Sequence, residues 1–199
     1  MPVPAEYFDQ MFSTTDDPWG FRSRWYEQRK RDVTLACLPE TRYRNAFEPG
    51  CANGELAACL AARCDALLVC DISTRATNLA RVRLKDARNV RVQTRTIPKH
   101  WPEENFDLIV LSEICYYLAP DELIDLAHRA VSSLSSGGVL LACHWRPKIA
   151  GCAFDGDTVH ETLERNTGLT RLLRHVETDF VLDVWTKEGA SVGSKEGLR

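Results

Sequence analysis

Apolar positions along this chain fall into short runs separated by longer stretches in which they recur every three or four residues. Ala66–Cys70, Phe106–Leu111 (broken only by Asp107) and Val139–Trp145 are too short to be helices. Such runs predict strands buried on both faces of a parallel sheet. Asn45–Glu48, running into Pro49-Gly50, and the alternating segment Val90–Thr94 predict two more strands. Helices are predicted between them: Asn53–Arg63, with Leu56, Cys59 and Leu60 on one stripe; Ser73–Lys85, capped by Ser73; and Pro120–Leu134, with proline in its favoured first turn. A further helix, Ser23–Leu38, precedes the first strand and stops at Pro39, and another follows Asp155-Gly156-Asp157 as far as Asn166. Two β-type runs, 169–177 and 180–187, close the pattern. Strands alternating with helices predict an α/β fold with a mainly parallel, seven-stranded sheet and helices on both faces. The expected organisation is an N-terminal helical cover or lid over residues 1–40, one domain over 41–188, and a flexible Gly/Ser/Lys-rich tail over 189–199.

Composition narrows this picture without changing it. The 199 residues suit one domain. With 25 basic and 28 acidic side chains the net charge is -3, so the basic footprint that nucleic acid demands is missing. The longest apolar runs fall far short of the ~20 residues of a membrane span, and no secretory signal opens the chain, so a cytoplasmic protein with a small-molecule substrate is expected. Oligomeric state is left open. The eight cysteines show no C-x-x-C spacing, and several lie in apolar runs, where a free thiol acts as a small hydrophobe. They are expected to be reduced, and nothing in the pattern calls for a metal.

Open parallel sheets bind ligands beyond the carboxyl ends of their strands, where strand order reverses. The loop after the first strand reads Glu48-Pro49-Gly50-Cys51-Ala52-Asn53-Gly54. Two glycines permit a tight turn and close backbone approach, and Asp71, ending the second strand, is placed to accept ribose hydroxyls. A dinucleotide fingerprint has glycine at the middle position, where this chain has Ala52, and Glu48 would repel a pyrophosphate. A nucleoside with a cationic end and no phosphate fits better. S-adenosylmethionine (SAM) has both properties and is favoured over a nicotinamide dinucleotide.

These residues also carry a resemblance. Phe47–Gly54 resembles motif I of the class I SAM-dependent methyltransferases, with Ala52 in place of the middle glycine. Phe106–Glu113 resembles their fourth strand and the loop after it, and Leu134-Ser135-Ser136-Gly137-Gly138 resembles the turn before their fifth. The implied fold is Rossmann-like. More narrowly, Asp16–Trp19, Tyr26–Arg29, Glu48–Gly54 and Glu113–Leu118 resemble the nodulation protein NodS family, which N-methylates the deacetylated terminal glucosamine of a chitooligosaccharide. The resemblance implies that Glu48 holds the SAM ammonium, that Gly50, Cys51 and Gly54 line the methionine moiety, and that Asp71 takes the ribose. It places Ile72 against the adenine, with Thr96 where the adenine contact is usually an aspartate and Ile97 following it. Ser112 and Glu113 complete the cofactor wall, while Trp19 and Arg29 of the cover offer an aromatic face and a cation for the SAM carboxylate.

Methyl transfer is an in-line displacement, and alignment of the acceptor at about 3–3.5 Å lowers its barrier by up to ~7–11 kcal/mol. Candidates to act on the acceptor lie where the fourth and fifth strands end: Glu113 and His144 as bases, Tyr117 as a hydrogen-bonding partner, with Tyr116, Arg146 and His160 near the same rim. The expected activity is methyl transfer to a small polar acceptor, an amino-sugar nitrogen first. The alternatives are O-methylation of a small carboxylate or hydroxyl in secondary metabolism, and SAM binding without catalysis.

Overall fold

The structure, a computed structural model, describes residues 2–188 and 191–198. Seven strands form one sheet: β1 Tyr43–Pro49, β2 Cys64–Asp71, β3 Val90–Thr94, β4 Phe106–Ser112, β5 Leu134–Trp145, β6 Thr170–Val176 and β7 Phe180–Thr186. Their order is β3-β2-β1-β4-β5-β7-β6. β1 to β5 run parallel, and β7 is antiparallel to both β5 and β6. Chain order therefore reverses between β1 and β4, and a crevice opens beyond their carboxyl ends.

Alternation along each strand divides the core in two. Ala46, Leu67, Val69, Leu108, Val110 and Leu141 face one layer, while Phe47, Leu68, Cys70, Ile109, Leu111 and Leu140 face the other. The first layer is covered by α2 (Trp25–Ala36), α3 (Glu55–Ala61) and α4 (Thr74–Arg83), the second by α5 (Pro120–Ser133) and α6 (Gly156–Thr167). Both faces are buried, which is why the strands read as continuous apolar runs. Caps explain the helix starts. The Ser73 hydroxyl accepts from the Ala76 amide at 3.1 Å and the Asp155 carboxylate from the Thr158 amide at 2.8 Å. All eight cysteines are unbridged, and six are buried. Among the described residues no helix is long and apolar enough to cross a membrane.

Three expectations need correction. Residues Ala5–Thr14 form a helix, α1, which the polar and aromatic composition of that segment concealed. β5 begins at Leu134 rather than Val139, because Leu134 pairs with Phe106 before the register shifts. In the expected flexible tail, Val192–Lys195 form a one-turn helix, α7, capped by Ser191, while residues 189, 190 and 199 lie outside the described residues.

Candidate active site

The crevice at the switch point is a cavity of about 850 Å³, walled by the loops after β1, β2, β3 and β4 and roofed by the N-terminal segment. Its β1 side rests on a glycine that nothing can replace. Gly50 has φ +75°, and a Cβ there would lie 1.9 Å from Ile114 Cγ2, so the β1 and β4 loops cross in van der Waals contact only because it has none. The Gly50 and Cys51 amides donate to the Cys70 carbonyl at 2.7 and 2.9 Å, tying this loop to β2. Ala52 holds a left-handed φ of +47°, which aims its amide at Asp71 Oδ2, 2.9 Å away. The Ser73 amide donates to Asp71 Oδ1 at 2.9 Å.

Two carboxyls on this side are strongly perturbed. Burial pushes Glu48 up to about 8, with the charge of Asp71 adding to the effect. Glu48 is 2% exposed and its Oε2 has no hydrogen-bond partner. Burial also raises Asp71 to about 6, against the pull of the Ser73 and Ala52 amides. A buried carboxyl without a partner is costly. Both carboxyls line the cavity.

The β4 side is organised differently. Glu113 follows β4 with a left-handed φ of +59°, and its amide donates to the Cys143 carbonyl at 2.9 Å. Its carboxylate accepts from Lys30 Nζ at 2.6 Å, from the Tyr116 hydroxyl at 2.5 Å and from the Trp145 amide at 2.9 Å. Lys30 projects from α2, is 6% exposed, and also lies 3.0 Å from Glu27. Burial pulls its pKa down, but Glu113 and Glu27 more than offset this and hold it above the ordinary lysine value. Glu27 is itself raised by burial, against the pull of Lys30. The Lys30 ammonium sits 5.1 Å from the Tyr26 ring centroid. The Tyr26 hydroxyl is buried without a partner, and burial raises its pKa.

The roof is attached at several points. The Val3 amide donates to the Tyr117 carbonyl at 3.0 Å, and Phe8 packs edge-on against Tyr117 with centroids 5.0 Å apart. Phe12 packs on Trp19, which stacks on Phe21. The Asn53 amide group donates to the Asp16 carbonyl at 3.1 Å and to Asp17 Oδ1 at 3.2 Å, and the Ser73 hydroxyl donates to Asp9 of α1.

The family model for Nodulation protein S (NodS) matches residues 9–178. The chain belongs to the NodS family. Nodulation protein S of Sinorhizobium fredii (strain NBRC 101917 / NGR234) is 33% identical over 125 residues, 62% of this chain and 58% of that relative, so the match spans less than two thirds of the relative's length. The solved N-methyltransferase NodS from Bradyrhizobium japonicum WM9, in complex with S-adenosyl-L-homocysteine, is 26% identical. That comparison covers 92% of this chain and 98% of the other at a TM-score of 0.85. A provisionally assigned methyltransferase from Pseudomonas syringae is 51% identical over 82% of this chain and 99% of its own, at a TM-score of 0.74. The fold is the class I methyltransferase fold.

In this NodS-family chain most residues expected at the site line the one cavity. Glu48, Gly50, Cys51, Asp71 and Ile72 form its β1–β2 wall, Thr96 and Ile97 its β3 wall, Ser112, Glu113 and Tyr117 its β4 wall, and Trp19 its roof. Three expected residues stand apart. Arg29 faces away from the cavity in a bidentate pair with Glu177 at 2.8 and 2.7 Å, because its place on α2 points it at the β6–β7 turn. Arg24, Lys30 and Arg31 are the α2-side cations on the cavity wall instead. Gly54, at φ +83°, starts α3 and packs against Ala80, behind the wall. His144 is fully buried, accepts the Cys115 amide on Nε2 at 3.2 Å and has its pKa pushed well down by burial and then by His160, so it cannot reach an acceptor. Lys30, Glu27 and the aromatic residues of α1 were not foreseen. The spacing of Tyr7, Phe8, Met11 and Phe12 behind Pro4 is the signal that marks α1.

Proposed function

We propose that this protein is a SAM-dependent N-methyltransferase whose acceptor is an amino-sugar nitrogen of the kind the NodS resemblance implies. One observation carries the cofactor reading: Glu48 is buried at the end of β1 with an unpartnered oxygen on the cavity wall. An ammonium group there would satisfy it. The cofactor fits the other residues too: Asp71 is braced by two amides along the same wall, and Gly50 lets the β1 and β4 loops close together beside it. When bound, SAM supplies a methyl group made electrophilic by its sulfonium.

The chain's own residues bind, align and exclude water. Glu48 takes the ammonium, Asp71 the ribose hydroxyls, and Ile72 with Ile97 the adenine faces, while Thr96 offers a neutral hydroxyl at its edge. An amine attacks through its lone pair, so it must arrive as the free base. Glu113 has its oxygens engaged by Lys30, Tyr116 and the Trp145 amide, and therefore orients the acceptor rather than collecting its proton. The Tyr26 hydroxyl and the Tyr117 ring complete the acceptor wall. Residues up to about 40 act as a cover over the domain of residues 41–188, keeping water from the reacting atoms.

The test is calorimetry with SAM and S-adenosylhomocysteine, then mass-shift detection of methyl transfer. The acceptors are a chitooligosaccharide with a free terminal amine, its fully N-acetylated counterpart, and a panel of phenols and carboxylic acids. Micromolar cofactor binding and methylation of the free amine alone are expected. Methylation of a hydroxyl or carboxylate instead would overturn the acceptor assignment, and absence of SAM binding would overturn the whole reading.

A further inference from the structure

A chain of polar groups crosses the apolar core behind the β4 wall. Asp183 of β7, His160 of α6 and His144 of β5 are each at most 1% exposed. His160 Nδ1 lies 2.7 Å from Asp183 Oδ2, His144 Nδ1 lies 3.1 Å from His160 Nε2, and His144 Nε2 lies 3.2 Å from the Cys115 amide nitrogen. A backbone amide can only donate, which fixes the direction of every bond. His144 Nε2 must present its lone pair, so the His144 proton sits on Nδ1 and is donated to His160 Nε2. The His160 proton is then on Nδ1 and is donated to Asp183. Arg171 and Arg174 approach Asp183 Oδ1 to 3.9 Å, offsetting its charge from the sheet edge.

The other end of this chain meets the cavity. Cys115 opens the one-turn helix Cys115–Tyr117, directly after Glu113 and Ile114. That turn sets Glu113 in its left-handed conformation, lays Ile114 over Gly50, and presents Tyr116 and Tyr117 to the acceptor side. The Tyr116 ring packs edge-on against His144 at 5.5 Å. A buried polar array of this kind adds little stability over well-packed apolar residues of the same volume, but it is directional where they are not.

We propose that Asp183, His160 and His144 are positioning residues that hold the Cys115 amide, and through it the 113–117 turn, in the geometry the acceptor needs. None of the three lines the cavity. The kinetic consequence rests on the methyltransferase reading given above; the bonding pattern does not.

The experiment has two arms. In wild-type protein, ¹⁵N-histidine NMR at neutral pH should find both rings neutral and protonated on Nδ1, with His144 Nε2 accepting from the Cys115 amide. An Nε2-protonated or charged ring at either position overturns the relay, whether or not the protein transfers methyl groups. In the second arm, His160→Leu should keep its SAM affinity within twofold while kcat/KM for the acceptor falls at least tenfold. His160→Gln, which can still donate and accept, should recover most of that loss. Unchanged acceptor kinetics in His160→Leu, or a parallel loss of cofactor binding and turnover that His160→Gln does not restore, overturns the positioning role. If His160→Leu does not fold, the comparison of His160→Gln with His144→Gln by the same kinetics, alongside the wild-type NMR, decides the question. A wild-type protein that neither binds SAM nor methylates the amine refutes the methyltransferase reading and leaves the first arm fully readable.

Discussion

Two glutamates face the same cavity from adjacent strands and have been given opposite surroundings. Glu48, at the end of β1, is buried with one oxygen unpartnered and its pKa raised to about 8. Glu113, just past β4, has three donors on its carboxylate, one of them the buried Lys30 ammonium. The first lacks a positive partner that a ligand can supply. The second has its partner built into the chain, from a helix that covers the site. Under the proposed function, binding energy is thus reserved at the wall that Glu48 lines, while geometry is fixed in advance where Glu113 sits.

The contrast can be broken most forcefully at Lys30. Lys30→Met strips the buried Glu27 and the half-buried Glu113 of the ammonium they share, a change that costs about 3–5 kcal/mol. Thermal denaturation should show Tm falling by roughly 10 °C, and adding Glu113→Gln should restore part of it. An unchanged Tm would show that the pair is not buried as described. At the cofactor wall, Asp71→Ala should weaken SAM at least tenfold in calorimetry, and an unchanged affinity would remove Asp71 from the site.

Glu48→Gln sharpens the comparison because two of its effects have opposite signs. A carboxyl whose pKa is raised on folding takes up a proton, so between the ordinary carboxylate range and about pH 8 the folded protein loses stability as pH rises. Glutamine has no such slope. The ligand-free variant should melt above the wild type at pH 8, by about 2–4 °C for each kcal/mol regained, and bind SAM less tightly. A lower Tm at pH 8 would contradict the buried, unpartnered carboxyl. Glu113→Gln should lower turnover more than cofactor affinity; the reverse would move Glu113 to the cofactor wall. The smallest effect is expected at Arg29→Ala. Its partner Glu177 lies outside the cavity and the pair is half-exposed, so SAM affinity should stay within twofold and Tm should barely move.

The strand runs and the glycine loop were legible because each reports a local constraint. A doubly buried strand must be apolar along its length, and Gly50 is required where two loops touch. Glu48 and Asp71 could be placed because they end strands whose position in the sheet follows from chain order. Lys30, Arg29 and His144 could not be placed that way. Lys30 and Arg29 are adjacent on α2, and only the helix's rotation against the sheet sends one into the site and the other to Glu177. His144 sits at the end of β5, where a base would be expected, but its partners are on α6 and in the 113–117 turn. α1 escaped notice because its stripe is short and what it packs against, Tyr117 and Ser73, is far along the chain.

The Arg29–Glu177 pair joins residues 148 apart, and Lys30–Glu113 joins residues 83 apart. β6 reaches the sheet only through β7. Synthesis delivers α2 before either partner, so its two anchors are made in order: Lys30 meets Glu113 once β4 has emerged, and Arg29 meets Glu177 only when the β6–β7 turn has followed. The helix that covers the cavity is thus seated on its inner face first and locked on its outer face later.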